Sequence, residues 1–468
     1  MSEKRETMNE DLERGLEERH IQLMAIGGAI GVGLFLGSAT TIKMAGPSIL
    51  LSYGIGGLII FIIMRALGEM AVEYPISGSF SAYAYEFLSP LFGFLTGWSY
   101  WFMWIIAGMA ETTAIGIYIQ FWFSGVPQWL SAFVSVILLT VVNLTAVKAF
   151  GEFEFWFAII KVITIIAMIA VGFVMIITGF GNNGVPVGIH NLWTNGGFFP
   201  NSVTGTVKSV VLVVFAFLGM ELIGVTAGEA KNPDVVIPSA INKVLWRVLI
   251  FYVGALFVIM SIYPWNEIGT KGSPFVLTFS KLGISAAAGI INFVVITAAA
   301  SSCNSGIFTT GRMLYNLSLQ GKAPKFFGKL SRTSVPARGV LTSAGCMLIG
   351  VVLNYIMPGK VFGYIASIVT FVGLFVWLVI MLCHMQFRKG LSAEQVKKLK
   401  FPALGFPYLN WLVFAFLAFV VIVMALDPEN RIALIVGPIW LVILIVAYYA
   451  AGYNKIDKAN VSQLKKLG

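Results

Sequence analysis

Residues 21–40 read IQLMAIGGAIGVGLFLGSAT, an apolar run long enough to cross a bilayer yet punctured by Gly27, Gly28, Gly31, Gly33 and Gly37. Each glycine in a helix interior disfavours the helix by roughly 1 kcal/mol relative to alanine. In lipid, backbone that gives up its internal hydrogen bonds is tolerated only against protein or a water-filled cavity. The stretch therefore reads as a helix broken at membrane depth, with N–H and C=O groups released to a ligand. Close packing of helices is the other reading of the same glycines.

Working outward, the chain has 468 residues, 58% hydrophobic and 11% charged, with a mean hydropathy of +0.87. A soluble protein would carry about 25% charged residues, so lipid is the solvent for most of this fold. The net charge of +10 sits in short loops between apolar blocks, which reports orientation in a membrane and not a nucleic-acid surface. Cys303, Cys346 and Cys383 lie inside apolar blocks and are odd in number, so neither a disulfide framework nor a metal cluster is expected. Residues 1–20 are dense in Glu and Arg without an apolar run. No cleavable signal peptide is expected there, and the first span directs insertion.

On a criterion of roughly 20 apolar residues per crossing, about twelve spans follow: 21–40, 47–69, 94–121, 126–147, 154–178, 205–227, 244–264, 284–313, 336–357, 361–386, 408–426 and 432–451. The fold class is an all-α integral membrane protein. With the amino terminus in the cytoplasm, the loops on that side collect Arg65, Lys148, Lys231, Lys243, Arg247, Arg312, Lys322, Lys325, Lys329, Arg332, Arg338 and the basic run 388–400. The opposite side holds Lys43, Lys208, Lys271, Lys281, Lys360 and Arg431. That bias puts both termini in the cytoplasm. Glu73–Leu91 reads as an amphipathic cytoplasmic connector and residues 179–204 as an ordered external loop.

Span six, VVLVVFAFLGMELIGVTAGEAKNP (210–233), is interrupted by Gly219 and Gly224 and carries Glu221 within its apolar run. It follows the first punctured span by five helices. A repeat of five enters the membrane from opposite sides in its two copies, so spans one to five and six to ten read as inverted repeats, each opening with a discontinuous helix. Paired interruptions at matching positions point to a transport site. The expected divisions are a tail at 1–20, repeat one at 21–178, the loop at 179–204, repeat two at 205–387, a basic linker at 388–407, two added helices at 408–451 and a tail at 452–468.

An ordered set of motifs carries a resemblance: RHIQLMAIGGAIGVGLF (19–35), AGPS (45–48), ALGEMAVEYPISGSFSAYA (66–84), GWSYWF (97–102), FGEFEFWFAIIK (150–161), FAFLGMELIGVTAGEAKNP (215–233), IPSAI (237–241) and SSCNSGIFTTGRML (301–314). Over residues of about 15 to 455 the chain resembles the amino acid permeases of the amino acid–polyamine–organocation superfamily. The resemblance implies a five-plus-five inverted repeat of the leucine-transporter type with two added carboxy-terminal helices. It also implies a plasma-membrane location and proton-driven uptake of amino acids. The GWSYWFMWIIAGMAE and SSCNSGIF runs look most like the D-serine/D-alanine/glycine permeases. INFVV (291–295) and IHNLW (189–193) are shared with proline- and histidine-type permeases.

Gly28, Ile30, Gly31, Val32 and Gly33 lie at the expected unwinding of span one. A substrate carboxylate needs several N–H donors, which a half-helix amino terminus supplies with a favourable dipole. Carbonyls released in spans one and six accept the substrate ammonium. Phe215 matches an aromatic that, in similar transporters, closes over the substrate, with Leu218 and Gly219 shaping the side-chain pocket. An ordinary aromatic in a chain with 37 Phe is the alternative.

Glu111, Lys161 and Glu221 are charges inside spans. Each charge at membrane depth costs at least roughly 2.5–3.5 kcal/mol, so such residues mark pathways or relays. A desolvated lysine has its neutral form favoured. The resembling family includes members in which a span-five lysine couples protons, which implies Lys161 as the coupling group with Glu111 or Glu221 as its partner. A structural lysine–glutamate bridge is the alternative. Glu69, Glu73 and Glu229 read as gate or loop pairs with Lys231, Arg65 or other basic residues. His20, His190 and His384 receive no role, and Asn304 and Ser305 either line the pathway or join helices.

No HExxH, GxSxG or paired intramembrane aspartate appears, so an intramembrane enzyme is not expected. The expected function is import of small neutral amino acids such as glycine, alanine and serine, including D-forms, by proton symport and alternating access. A proline or histidine permease, an exchanger and a nutrient receptor on the same scaffold are the alternatives. No cofactor is expected beyond the proton as coupling ion. The expected partners are the amino acid and membrane lipid, with no nucleic acid and no obligate protein.

Overall fold

Gly219 interrupts a helix inside an apolar stretch, and Gly31 stands in extended backbone immediately before Val32, where the first described helix begins. The computed structural model describes residues 30–76, 78–144, 147–225, 232–268, 273–281 and 285–455. Among them there is no strand, and ten helical stretches are long and apolar enough to cross a membrane.

In chain order the helices are α1 (Val32–Phe35), α2 (Gly37–Ala45), α3 (Ile49–Glu73), α4 (Ser79–Phe87), α5 (Pro90–Ile119), α6 (Gln128–Asn143), α7 (Val147–Thr178), α8 (Ser202–Phe217) and α9 (Leu222–Val225). There follow α10 (Pro233–Arg247), α11 (Ala255–Ile262), α12 (Pro274–Lys281), α13 (Ser285–Leu319), α14 (Ala337–Ile356), α15 (Val361–Lys389), α16 (Ala393–Lys397), α17 (Tyr408–Leu426) and α18 (Arg431–Ala450). A π-helical segment, Val248–Gly254, joins α10 to α11 in one 30-residue stretch.

Several boundaries differ from the sequence expectation. The seventh span starts at Pro233 and not at 244, because Pro233 occupies the first helical turn with Asp234 beside it; proline and an acid both suit a helix start. The fourth stops at Asn143 and is 16 residues long, short of a full apolar crossing. Between α2 and α3, residues Gly46–Ser48 stay in a 3-10 turn, so Gly37–Glu73 forms one 37-residue helical stretch.

Burial grades the helices by position. In α5 and α13 the most apolar window is 78% buried, against 22% in α18. A helix apolar all round belongs in a core or in lipid, and here both occur. α5 and α13 form the centre, while α18 turns Ile439, Val442, Ile443 and Val446 outward. Small hydroxylic residues seat α8 on its neighbours: Ser48 Oγ lies 2.6 Å from Thr206 Oγ1, and Ser52 Oγ 3.2 Å from Ser209 Oγ. Close approach with interhelical hydrogen bonds is how helices associate without a hydrophobic drive between them.

Candidate functional site

The first of the two glycine positions is extended backbone. Gly31 (φ −123°, ψ −163°) caps α1, so the helix begins only at Val32. The first amides of a helix have no acceptor within it, and that of Val32 donates to the Glu111 carboxylate on α5. Glu111 also accepts from the Ser302 hydroxyl of α13 and faces the Lys161 ammonium of α7. The approach is tight: a Cβ on Gly31 would stand 2.9 Å from Glu111 Oε1 and 3.5 Å from Ser302 Oγ. Lys161 is fully buried, and Glu111 nearly so. Two charges removed from water in this way hold only by mutual attraction and hydrogen bonding.

The second is a left-handed turn. α8 stops at Phe217, Leu218 is extended (φ −63°, ψ 142°), and Gly219 takes φ +99°. The Glu221 side chain folds back on this turn and accepts the Gly219 N–H with both oxygens, each at 3.1 Å. Trp377 Nε1 of α15 donates to Glu221 Oε2 at 3.4 Å, and Tyr252 Oη donates to the Ala216 carbonyl at 2.9 Å. A buried carboxylate that satisfies the amides of a broken helix supports the local structure.

The start of α1 and the end of α8 meet. A Cβ on Gly33 would lie 2.5 Å from Ala216 Cα, so the backbones of α1 and α8 are in direct contact there. Beside that contact lies a cavity of about 40 Å³, room for about three waters at one probe sphere each. Gly31, Gly33, Phe215, Leu218, Gly219 and Glu111 line it, together with Met103, Trp104, Ala107, Ala216, Ser302 and Val369. Of the remaining expected site residues, Ile30, Val32, Lys161 and Glu221 are buried but not on its wall, and Gly28 lies outside the described residues.

A larger space of about 670 Å³ forms a vestibule edged by Lys208, Lys360 and Glu429 and walled by Leu36, Tyr118, Gln128, Asn292 and Phe362. The rings of Phe215, on the small cavity, and Phe362, on the vestibule, meet edge to face with centroids 6.0 Å apart.

Met103, Ala107 and Ser302, wall residues without a role from sequence, had a signal. Met103, Ala107 and Glu111 stand four apart on α5, one stripe of its face. Ser302 lies two residues before Asn304. Asn304 turns to α6, where Asn143 Nδ2 donates to its Oδ1 at 2.7 Å, so helical rotation carries Ser302 to another side. Val369, from α15, carried no local signal. Ser305 is buried but not on the cavity wall.

At the end of α3 away from the vestibule, Glu69 accepts from Arg388 Nη2 at 2.7 Å and from the Ala403 N–H. His384, given no role from sequence, is fully buried there, with Nε2 3.4 Å from Glu69 Oε1 and Nδ1 2.9 Å from Asn410 Nδ2. Glu73 accepts the Lys400 N–H at 3.0 Å. Arg65 covers the Phe401 ring and donates to Asn242 and to the Pro402 carbonyl. Glu229 and Lys231 lie outside the described residues. Among the described residues no group of three His, Cys, Asp or Glu could hold a metal ion.

The amino acid permease family model matches residues 20–461. The uncharacterized amino acid permease YtnA of Bacillus subtilis (strain 168) is 57% identical over 454 residues, 97% of this chain and 98% of that protein. The probable threonine/serine transporter YbxG of the same organism is 50% identical over 455 residues, 97% of this chain and 98% of its own. The amino-acid permease AapA, also from B. subtilis, is 50% identical over 437 residues, covering 93% of this chain and 94% of its own.

Proposed function

This chain belongs to the amino acid permease family, a multi-pass membrane transporter and not an enzyme, and from that premise we propose that it imports small neutral amino acids by proton symport. The observation that carries the reading is the meeting of the start of α1, after extended Gly31, with the interrupted end of α8 at one cavity beside a buried Glu111–Lys161 pair. Backbone around Gly28, Ile30, Gly31, Val32 and Gly33 holds the substrate carboxylate. Carbonyls of the turn at Phe215, Leu218 and Gly219 take the ammonium, those of Phe215 and Gly219 beside the N–H groups of Leu218 and Leu222 that they already accept, and Phe215 with Phe362 separates substrate from the vestibule. Apolar side chains such as Ala107, Met103 and Val369, with a small volume, suit glycine, alanine, serine or threonine; the name of the threonine/serine relative agrees with that class.

Lys161 and Glu111 form the coupling pair in this reading, and Glu221 holds the interruption at Gly219 in shape. The proton is the coupling ion, and no cofactor takes part. Twelve crossings in a five-plus-five inverted repeat with two added helices, both termini in the cytoplasm of a plasma membrane, complete the proposal. The vestibule then opens outward, and the Glu69–Arg388 end faces the cytoplasm. The test is uptake of radiolabelled alanine, serine and threonine into proteoliposomes under an imposed pH gradient. Accumulation that collapses with the gradient supports symport. Undiminished uptake that depends only on internal amino acid identifies an exchanger, and binding without accumulation a receptor.

A further inference from the structure

We propose that Tyr118 is the outer step of the proton path, passing protons from the vestibule to the Glu111 carboxylate; this rests on the symport reading above. Tyr118 and Glu111 stand seven residues apart on α5, two helical turns on one face, about 10.5 Å along the axis. Side chains on a helix lean toward its amino terminus, which tilts the Tyr118 ring from its own turn back toward Glu111.

Tyr118 walls the vestibule, Glu111 walls the small cavity, and the charge of Glu111 acts on the Tyr118 hydroxyl. Among the described residues, the Tyr118 hydroxyl and Glu111 Oε2 are both buried without a hydrogen-bond partner. Buried polar atoms left without protein partners are where ordered water belongs. Two such atoms on one helix face, carried by residues that line one space each, mark out a route that water completes.

The backbone around Tyr118 is held in place: Asn292 Nδ2 of α13 donates to the Tyr118 carbonyl at 2.8 Å. The titratable and charged groups that bear on the pair are Lys161 and Cys303 around Glu111, and Lys208, Lys360 and Glu429 at the vestibule. In the transfer step a lone pair of the phenol oxygen takes the incoming proton while the hydroxyl's own hydrogen leaves, through water, for Glu111 Oε2. The phenol stays neutral at the end of the step, and one proton has moved. No tyrosinate forms, so no uncompensated charge is buried.

The test compares wild type with Tyr118→Phe, which keeps the ring and its packing, in proteoliposomes carrying a luminal pH dye. Amino acid counterflow, which needs no net proton movement, is measured alongside gradient-driven uptake. The expected result is counterflow within about twofold of wild type and gradient-driven uptake with its luminal acidification reduced by roughly tenfold or more, the scale lost with a proton-transfer group. Gradient-driven uptake equal to wild type overturns the proposal. Equal loss of counterflow and gradient-driven uptake also overturns it, because the defect is then not one of protons. Failure of the symport reading itself shows earlier, as wild-type uptake without acidification.

Discussion

Arg388 Nε lies 2.5 Å from Glu69 Oε1 while its Nη2 donates to Glu69 Oε2 at 2.7 Å, a two-pronged ion pair with both side chains nearly excluded from solvent. One charge-assisted hydrogen bond and a second close approach between the same two groups make the pair strong. It joins the end of α3 to the end of α15. Through the Ala403 N–H the same carboxylate also holds the 398–407 segment.

Removing one partner leaves the other buried and uncompensated. Arg388→Met alone should therefore lower stability by about 3–5 kcal/mol. The double variant Glu69→Leu with Arg388→Met should recover a large part of that loss, because no unpaired charge remains. Thermal unfolding of the detergent-solubilised variants measures both; a double variant no better than the single would mean that the segment contacts, and not the charge balance, dominate.

The contact of Gly33 with Ala216 gives a second expectation. An added methyl on Gly33 falls 2.5 Å from a backbone carbon, not from the movable end of a side chain. Gly33→Ala should abolish uptake while the protein still inserts. Ala216→Gly should not rescue it, since the clash is with Cα. Restored transport in the double variant would show that the crossing relaxes more than this geometry allows.

Gly219 stands at φ +99°, where a side chain adds strain of roughly 1–2 kcal/mol. Gly219→Ala keeps the N–H that Glu221 accepts and changes only the backbone preference. Stability should fall by about that amount while expression persists. Unfolding midpoints of Gly219→Ala and Gly224→Ala side by side separate the turn from ordinary packing, because a Cβ added at Gly224 would stand 2.5 Å from the Leu67 side chain without a positive φ.

The interruption at Gly219 and the extended backbone at Gly31 were legible in sequence because glycine in an apolar run contradicts its surroundings, and so were Glu111 and Lys161, charges where hydropathy forbids them. The start of α10 was half legible. Asn232, Pro233 and Asp234 form a helix-start signal, but Asn242 and Lys243 broke the apolar run by which the span was bounded. Glu69 was recognisable as a gate or loop pair with a basic residue, yet its partner Arg388 stands 319 residues away, a separation no local pattern encodes. His384 was passed over for the same reason: nothing near it in sequence reveals that Glu69 and Asn410 meet on its ring.

Lys161 separates a coupling group from a structural bridge. A fully buried lysine facing Glu111 can serve either role, and only the coupling role ties its proton to the transport cycle. Lys161→Ala removes the cation from the pair while the Ser302 hydroxyl and the Val32 N–H still hold the Glu111 carboxyl group. Under coupling, the variant should lose accumulation against a gradient, and its uptake should no longer rise as the external medium is acidified. Counterflow should continue, because exchange of one amino acid for another needs no net proton. Under a purely structural bridge, Glu111→Gln with Lys161→Met would restore stability and gradient-driven accumulation together, since the apolar and amide pair fills the same space without unpaired charge. Measuring accumulation, counterflow and unfolding midpoint on these two variants decides between the roles: stability without accumulation in the double variant assigns the proton to the Lys161–Glu111 pair.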